Sequence, residues 1–286
     1  MGVTVFFTIS AWFFCERNQT VRGCFRRVWY LEKEVLFYSL LLAAICFAVG
    51  LAGPRLAVRS LLPLTLGVWW YPTAYATFLL FLPFLGRGLR AIGRTYHLVL
   101  CAILLVLYGV LSLLPDAQMV GEVYGFVYLF VLISAYRWYL EDSHPLAPWP
   151  MILVGMGMIL LYVVAALAAF QLRGIQIGIP QGDVLTHEVR LPVILVGFGI
   201  FLLFERMSFE SRIVNALARS AFSVYLITDY PALQGILWSG PMDLRVVGSM
   251  LVGLLWAFGI LLTMYATCTA FDLIRRTLSK LTVDRA

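Results

Sequence analysis

Asp229 stands inside the apolar stretch Ser220–Trp238, with Thr228 before it and Pro231 two residues on. A carboxylate in a lipid-spanning helix is costly and belongs in a bundle interior or a water-filled cavity. Counted from Arg219 at the inner boundary, it lies about ten residues up the helix, near mid-bilayer. Pro231 removes a backbone donor and can open a kink. Thr228-Asp229-Tyr230-Pro231 therefore reads as a polar break. There Asp229 could take the proton of a hydroxyl nucleophile, or be held by a serine, tyrosine or backbone partner.

Arg22, Arg26 and Arg27 form the second candidate. Guanidinium forks suit phosphate oxygens, so the cluster could hold a phosphorylated cofactor at the cytoplasmic face; anionic lipid headgroups would fit it equally. Trp69, Trp70, Tyr71 and Tyr75 open a third apolar stretch. They fit an interfacial aromatic belt or a platform for sugar rings. The histidines are expected to be solvated or interfacial: His97 at the inner end of a helix, His144 in an inner loop and His187 in an outer one. His187, near Asp183 and Glu188, is a weaker acid–base candidate. The five cysteines show no Cys-x-x-Cys spacing or Cys/His cluster, so neither a disulfide framework nor a metal site is expected.

These residues need helices in lipid to position them. The chain is 62% hydrophobic and 13% charged, whereas soluble proteins run at roughly 45–50% and about 25%. Nine stretches approach the length needed to cross a bilayer: Val3–Phe14, Val35–Ala52, Val68–Leu85, His97–Leu114, Tyr124–Tyr136, Trp149–Phe170, Leu191–Phe204, Ser220–Trp238 and Val246–Phe271. They lack the period-two alternation of a barrel. The expected fold is therefore all-α, one polytopic transmembrane bundle of about nine helices over residues 1–286. Of 21 lysines and arginines, sixteen fall in the links after odd-numbered helices and in the tail. The positive-inside rule puts those links and the C-terminus in the cytoplasm and Met1 outside. Short basic links in an apolar chain fit membrane orientation, not nucleic acid. A start outside suggests one further helix upstream. The links Glu16–Glu34 (inside) and Gln171–Arg190 (outside) are the longest.

Three stretches resemble the acyltransferase-3 family. Val3–Phe13 resembles its V-x-x-F-F-x-x-S-G-[FY]-[FL] segment. Trp70-Tyr-Pro-Thr-Ala-Tyr75, followed by Leu82-Pro-Phe-Leu85, resembles its W-F-[LI]-x-x-Y … P-[FL]-[LI]-N segment. Ala221–Pro231 with Trp238 resembles its late [SF]-[YF]-[GS]-[IV]-Y-L-[IW]-H-x-x-P helix. Val35–Ser39 is similar to the exopolysaccharide-modifying subgroup.

The resemblance implies a ten-helix membrane O-acyltransferase. Such enzymes take an acyl group, commonly acetyl, from acyl-coenzyme A on the cytoplasmic side and deliver it to a hydroxyl of a surface polysaccharide or glycan. Under it Arg22, Arg26 and Arg27 would meet coenzyme A phosphates. Trp70, Tyr75 and Tyr225 would line the transfer cavity, with Asp229 as a catalytic candidate. The family's first helix carries a basic residue and, further on, the histidine thought to be the base; nothing here matches that helix. Thr228 stands where many members have a second histidine, Ala11 for a glycine and Gly86 for an asparagine. The expectation is a chain lacking the family's first helix, with an inactive truncated protein among the outcomes this allows. The rival reading is a multi-pass transporter or flippase-like carrier using Asp229 on a broken helix; a third is a catalytically dead scaffold.

Overall fold

The computed structural model describes residues 2–113, 122–173, 190–208, 210–239 and 250–282. Every described element is a helix. In chain order these are α1 (Gly2–Glu16), α2 (Val21–Ala48), α3 (Pro54–Arg59), α4 (Trp70–Ala91), α5 (Gly93–Leu104), α6 (Glu122–Ala135), α7 (Pro148–Arg173), α8 (Leu191–Glu205), α9 (Arg212–Thr228), α10 (Pro231–Ser239) and α11 (Met250–Thr282). A π-helical turn, Leu105–Val110, prolongs α5, and another, Tyr136–Leu140, prolongs α6. Three stretches are long and apolar enough to cross a membrane by length and composition: Gly93–Leu113, Pro148–Ala168 and Val252–Thr277. Helices α1 and α8 are apolar but shorter.

One feature departs from the sequence reading, and the break expected near Asp229 is present. The connector Glu16–Glu34 is helical from Val21 onward, so the basic residues there ride on the first turns of α2. Thr20 caps that helix, its Oγ1 accepting from the Gly23 amide at 3.1 Å. The stretch Ser220–Trp238 is two helices, α9 and α10, parted at Asp229–Tyr230. Residues 174–189, with Asp183, His187 and Glu188, lie outside the described residues, as do Leu114 and 246–249 of the expected spans.

The helices form two compact units: Met1–Val28 with Ala74–Ser208, and Trp29–Thr73 with Phe209–Ala286. In the first, α1 is a core element. Phe7 stacks on Phe126 with centroids 4.5 Å apart and meets Phe78 edge-on at 5.0 Å. Gly93, at φ +77°, lets the chain turn between α4 and α5 in a conformation that side chains with a Cβ resist. Helices α7 and α8 approach through glycines. A Cβ on Gly155 would stand 2.7 Å from Val196 Cγ2 and 2.8 Å from the Pro192 carbonyl; one on Gly199 would meet Ile152 Cγ1 at 2.8 Å and the Pro148 carbonyl at 3.0 Å. Small residues allow this backbone approach. Gly155→Leu is therefore expected to destabilise the first unit by about 1–3 kcal/mol, lowering the melting temperature in detergent. Gly157→Leu, with nothing within 4 Å of its Cβ, should melt like the parent.

In the second unit a buried carboxylate joins three helices. Asp272 of α11 is fully buried. Its Oδ1 accepts from the Tyr38 hydroxyl of α2 at 2.8 Å, the Ser223 hydroxyl of α9 at 2.9 Å, and Arg275 Nε at 3.0 Å. Its Oδ2 accepts from the Ser220 hydroxyl at 2.8 Å and pairs with Arg276 at 2.8 Å. Arg275 also reaches Glu34 of α2 at 3.0 Å. Two carboxylates thus face two guanidinium groups, which is what makes burying them tolerable.

Candidate functional site

The helix break is built by three local causes. Pro231 has no amide to offer and suits the first turn of α10. Asp229 leaves the helical region, at φ −100° and ψ 10°, while its amide still bonds the Tyr225 carbonyl at 2.9 Å. The Thr228 carbonyl is taken by Trp238 Nε1 at 3.3 Å, so the break does not strand it. Asp229 is half-buried, and its Oδ1 accepts from Gln234 Nε2 at 3.1 Å. Tyr225 lies one turn below, its ring edge-on to Tyr71 at 6.0 Å. Tyr230 is fully buried; its hydroxyl meets Ser60 Oγ at 3.0 Å and its ring lies 5.6 Å from Trp69, whose Nε1 bonds the Leu226 carbonyl. Thr228 spends its hydroxyl on the Val224 carbonyl at 3.0 Å. Trp70 packs edge-on against Tyr71 at 5.8 Å. Within this unit the start of the aromatic segment and the late helix are therefore packed together, with the half-buried Asp229 at the break.

In the first unit Tyr75, half-buried, meets Phe7 edge-on at 6.4 Å and lies near Phe78 at 6.5 Å. This brings the Val3–Phe13 stretch against the later part of the aromatic segment. The three arginines of α2 do not converge. Helical spacing puts Arg22 and Arg26 on one exposed face. Arg27 lies about 100° further round; its Nη1 donates to Gln19 Oε1 at 2.6 Å and its guanidinium sits 4.9 Å above Phe14.

A different cationic group is assembled nearby. Arg17, Arg87 and Arg90 share a recess with Asn18, Gln19 and Trp138. Arg90 lies 4.5 Å over the Trp138 ring, donates to the Cys15 carbonyl at 3.1 Å and bonds Asn18 Oδ1. Trp138 Nε1 donates to the same Cys15 carbonyl at 3.1 Å. Arg137 sits 4.5 Å above Trp12 and pairs with Glu16 and Glu141. Cations at the C-terminal end of α1 complement its dipole. The recess is small, about 10 Å³, too small to take a cofactor inside it; what it offers is the rim of exposed guanidinium groups beside the Trp138 ring. Such a rim suits phosphate oxygens and a planar base. No spacing in the sequence joins Arg17 to Arg87 and Arg90; the only signal was that all three lie in basic links.

His97 is fully buried, contrary to the solvated or interfacial placement expected for it, because α6 covers the first turn of α5. His144 is exposed, its Nδ1 3.0 Å from Ser143 Oγ.

No curated protein and no solved structure matches this chain. The family model described as an acyltransferase domain matches residues 1–274, and the chain belongs to this acyltransferase-3 family of integral membrane proteins.

Proposed function

We propose that this chain is a membrane O-acyltransferase that takes an acyl group, acetyl by preference, from acyl-coenzyme A at the cytoplasmic face and passes it to a hydroxyl of a cell-surface polysaccharide or glycan. The observation that carries this reading, beside family membership, is the gathering of Arg17, Arg87 and Arg90 around the Trp138 ring. Such a rim matches the phosphates and adenine of coenzyme A. In the second unit Asp229 is assigned to the acceptor: its carboxylate is positioned by the helix break and by Gln234 and Tyr225, and can draw the proton from a sugar hydroxyl as that oxygen attacks the thioester carbonyl; the C–S bond then breaks, and coenzyme A leaves as the thiol with the proton. Trp70, Tyr71 and Tyr225 supply rings for the sugar.

Coenzyme A binding to the detergent-purified protein tests the donor half. A charge-assisted bond to phosphate contributes about 1.5–3 kcal/mol, so Arg90→Ala should weaken binding about ten- to a hundredfold. Arg22→Ala, on the exposed face of α2, is the comparison. If Arg22→Ala weakens binding and Arg90→Ala does not, the α2 cluster holds the donor and the recess assignment is wrong. Absence of any coenzyme A binding by the parent protein would remove the donor altogether.

The broken helix α9–α10 favours a second reading, a carrier with Asp229 at its substrate or ion site. Flux of a glycan precursor into proteoliposomes, abolished by Asp229→Asn and unaccompanied by acyl transfer, would establish it.

A further inference from the structure

The imidazole of His97 bonds α6 ahead of the π-helical turn Tyr136–Leu140 and packs against the turn itself. Before the turn, His97 Nε2 is 3.0 Å from the Val131 carbonyl. A carbonyl only accepts, so Nε2 carries the proton. Within the turn, the ring meets Trp138 at 5.7 Å and 65°, and Tyr139 at 5.5 Å and 89°. One helical turn along α5, Cys101 Sγ also lies 3.4 Å from the Val131 carbonyl. The ring is fully buried, and none of these contacts enters the transfer chemistry.

A π-helical turn adds one residue to the helical count, so rotation relative to a continued α-helix builds up along it and reaches about 100° by its end. That rotation is what the Trp138 contacts require. Trp138 Nε1 must reach the Cys15 carbonyl while its face lies under Arg90, and its neighbour Arg137 must lie over Trp12. An uninterrupted α6 would turn both side chains by tens of degrees from these partners. Such turns are uncommon and need support from outside the helix.

We infer that His97 is a positioning residue: by bonding Val131 and packing edge-on against Trp138 and Tyr139, it holds the π-helical turn that presents Trp138 beneath Arg90. The inference rests on the donor-site reading for its functional consequence, but the anchoring itself does not. His97 touches no ligand in this scheme.

Two measurements on the full-length protein in detergent separate the two. Amide exchange over residues 136–141, without ligand, reads the anchoring. His97→Leu should raise exchange in that segment and leave α7 and α8 unchanged. His97→Gln, whose side-chain amide can donate at the Nε2 position, should restore protection; a merely space-filling role would instead be met by leucine. Coenzyme A binding reads the consequence. Loss of one hydrogen-bonded anchor should weaken it about three- to tenfold in His97→Leu, with recovery in His97→Gln. If exchange over 136–141 is the same in the parent and His97→Leu, the anchoring role is refuted. It is refuted equally if glutamine gives no recovery while the rest of the protein keeps its protection. If exchange responds as expected but coenzyme A binding does not, the anchor stands and the recess is not the donor site. Should His97→Leu fail to fold, Cys101→Ala, which removes the weaker contact to the same carbonyl, should give a smaller rise confined to 136–141, and no rise would count against the proposal.

Discussion

Asp272→Ala is expected to destabilise the second unit by about 3–5 kcal/mol, the usual cost of removing one partner of a buried ion pair. Five side chains from α2, α9 and α11 point at this carboxylate. With alanine there, Arg275 keeps Glu34 and Ser223 keeps its longer bond to Glu34 at 3.4 Å, but the hydroxyls of Tyr38 and Ser220 lose the acceptor that justified their burial. Thermal unfolding in detergent measures this, and a drop of about 10 °C is the scale such a loss implies. Tyr38→Phe removes one donor and leaves the charge balance alone, so it should cost only about 0.5–1.5 kcal/mol. If Asp272→Ala melted with the parent, the cluster would not hold these helices together.

Asp229→Asn should lower acyl transfer by about a hundred- to ten-thousandfold, the range a positioned base contributes. Coenzyme A affinity should stay unchanged, because the proposed donor contacts come from other residues. The amide preserves size and the bond to Gln234, whose side chain can turn to offer its oxygen. A fall in stability should therefore not accompany the loss. Transfer to a glycan acceptor from radiolabelled acetyl-coenzyme A is the assay. Full activity in Asp229→Asn would hand the proton to another group. Folding comparisons by melting temperature would show that the variant is intact.

Much of the helical architecture was legible because hydropathy reports it directly. Each expected apolar stretch, where described, falls on a helix, and the break at Asp229 followed from Pro231 and a carboxylate in one run. The polar first turns of α2 were missed for the complementary reason. Arg22, Arg26 and Glu32 carry no apolar signal, so a helix there looks like a link. Asp272 was invisible for another reason. It sits one residue past the apolar run that ends at Phe271, where a charge looks like the start of a solvated tail. Its partners are Tyr38, Ser220 and Ser223, far away in sequence, and only packing brings them to it. The arginine recess has the same character: basic links predict sidedness, but not which guanidinium groups share a wall. His97 was placed by its distance from a helix end. Burial depends on what packs there, and a π-helical turn cannot be read from hydropathy.

The break between α9, with 17 residues from Arg212, and α10, with 9, has a consequence for how the protein enters its membrane. At about 1.5 Å per residue the halves are roughly 26 and 14 Å long, each short of a hydrocarbon core of about 30 Å. Exposed to bare lipid, the interruption would strand backbone carbonyls: that of Thr228 is taken within the pair by Trp238, but that of Leu226 is taken from outside it by Trp69. Insertion of this pair is thus bound to tertiary assembly: during biogenesis it should leave the translocation machinery late, as a joined unit, after helices able to shelter it have been made.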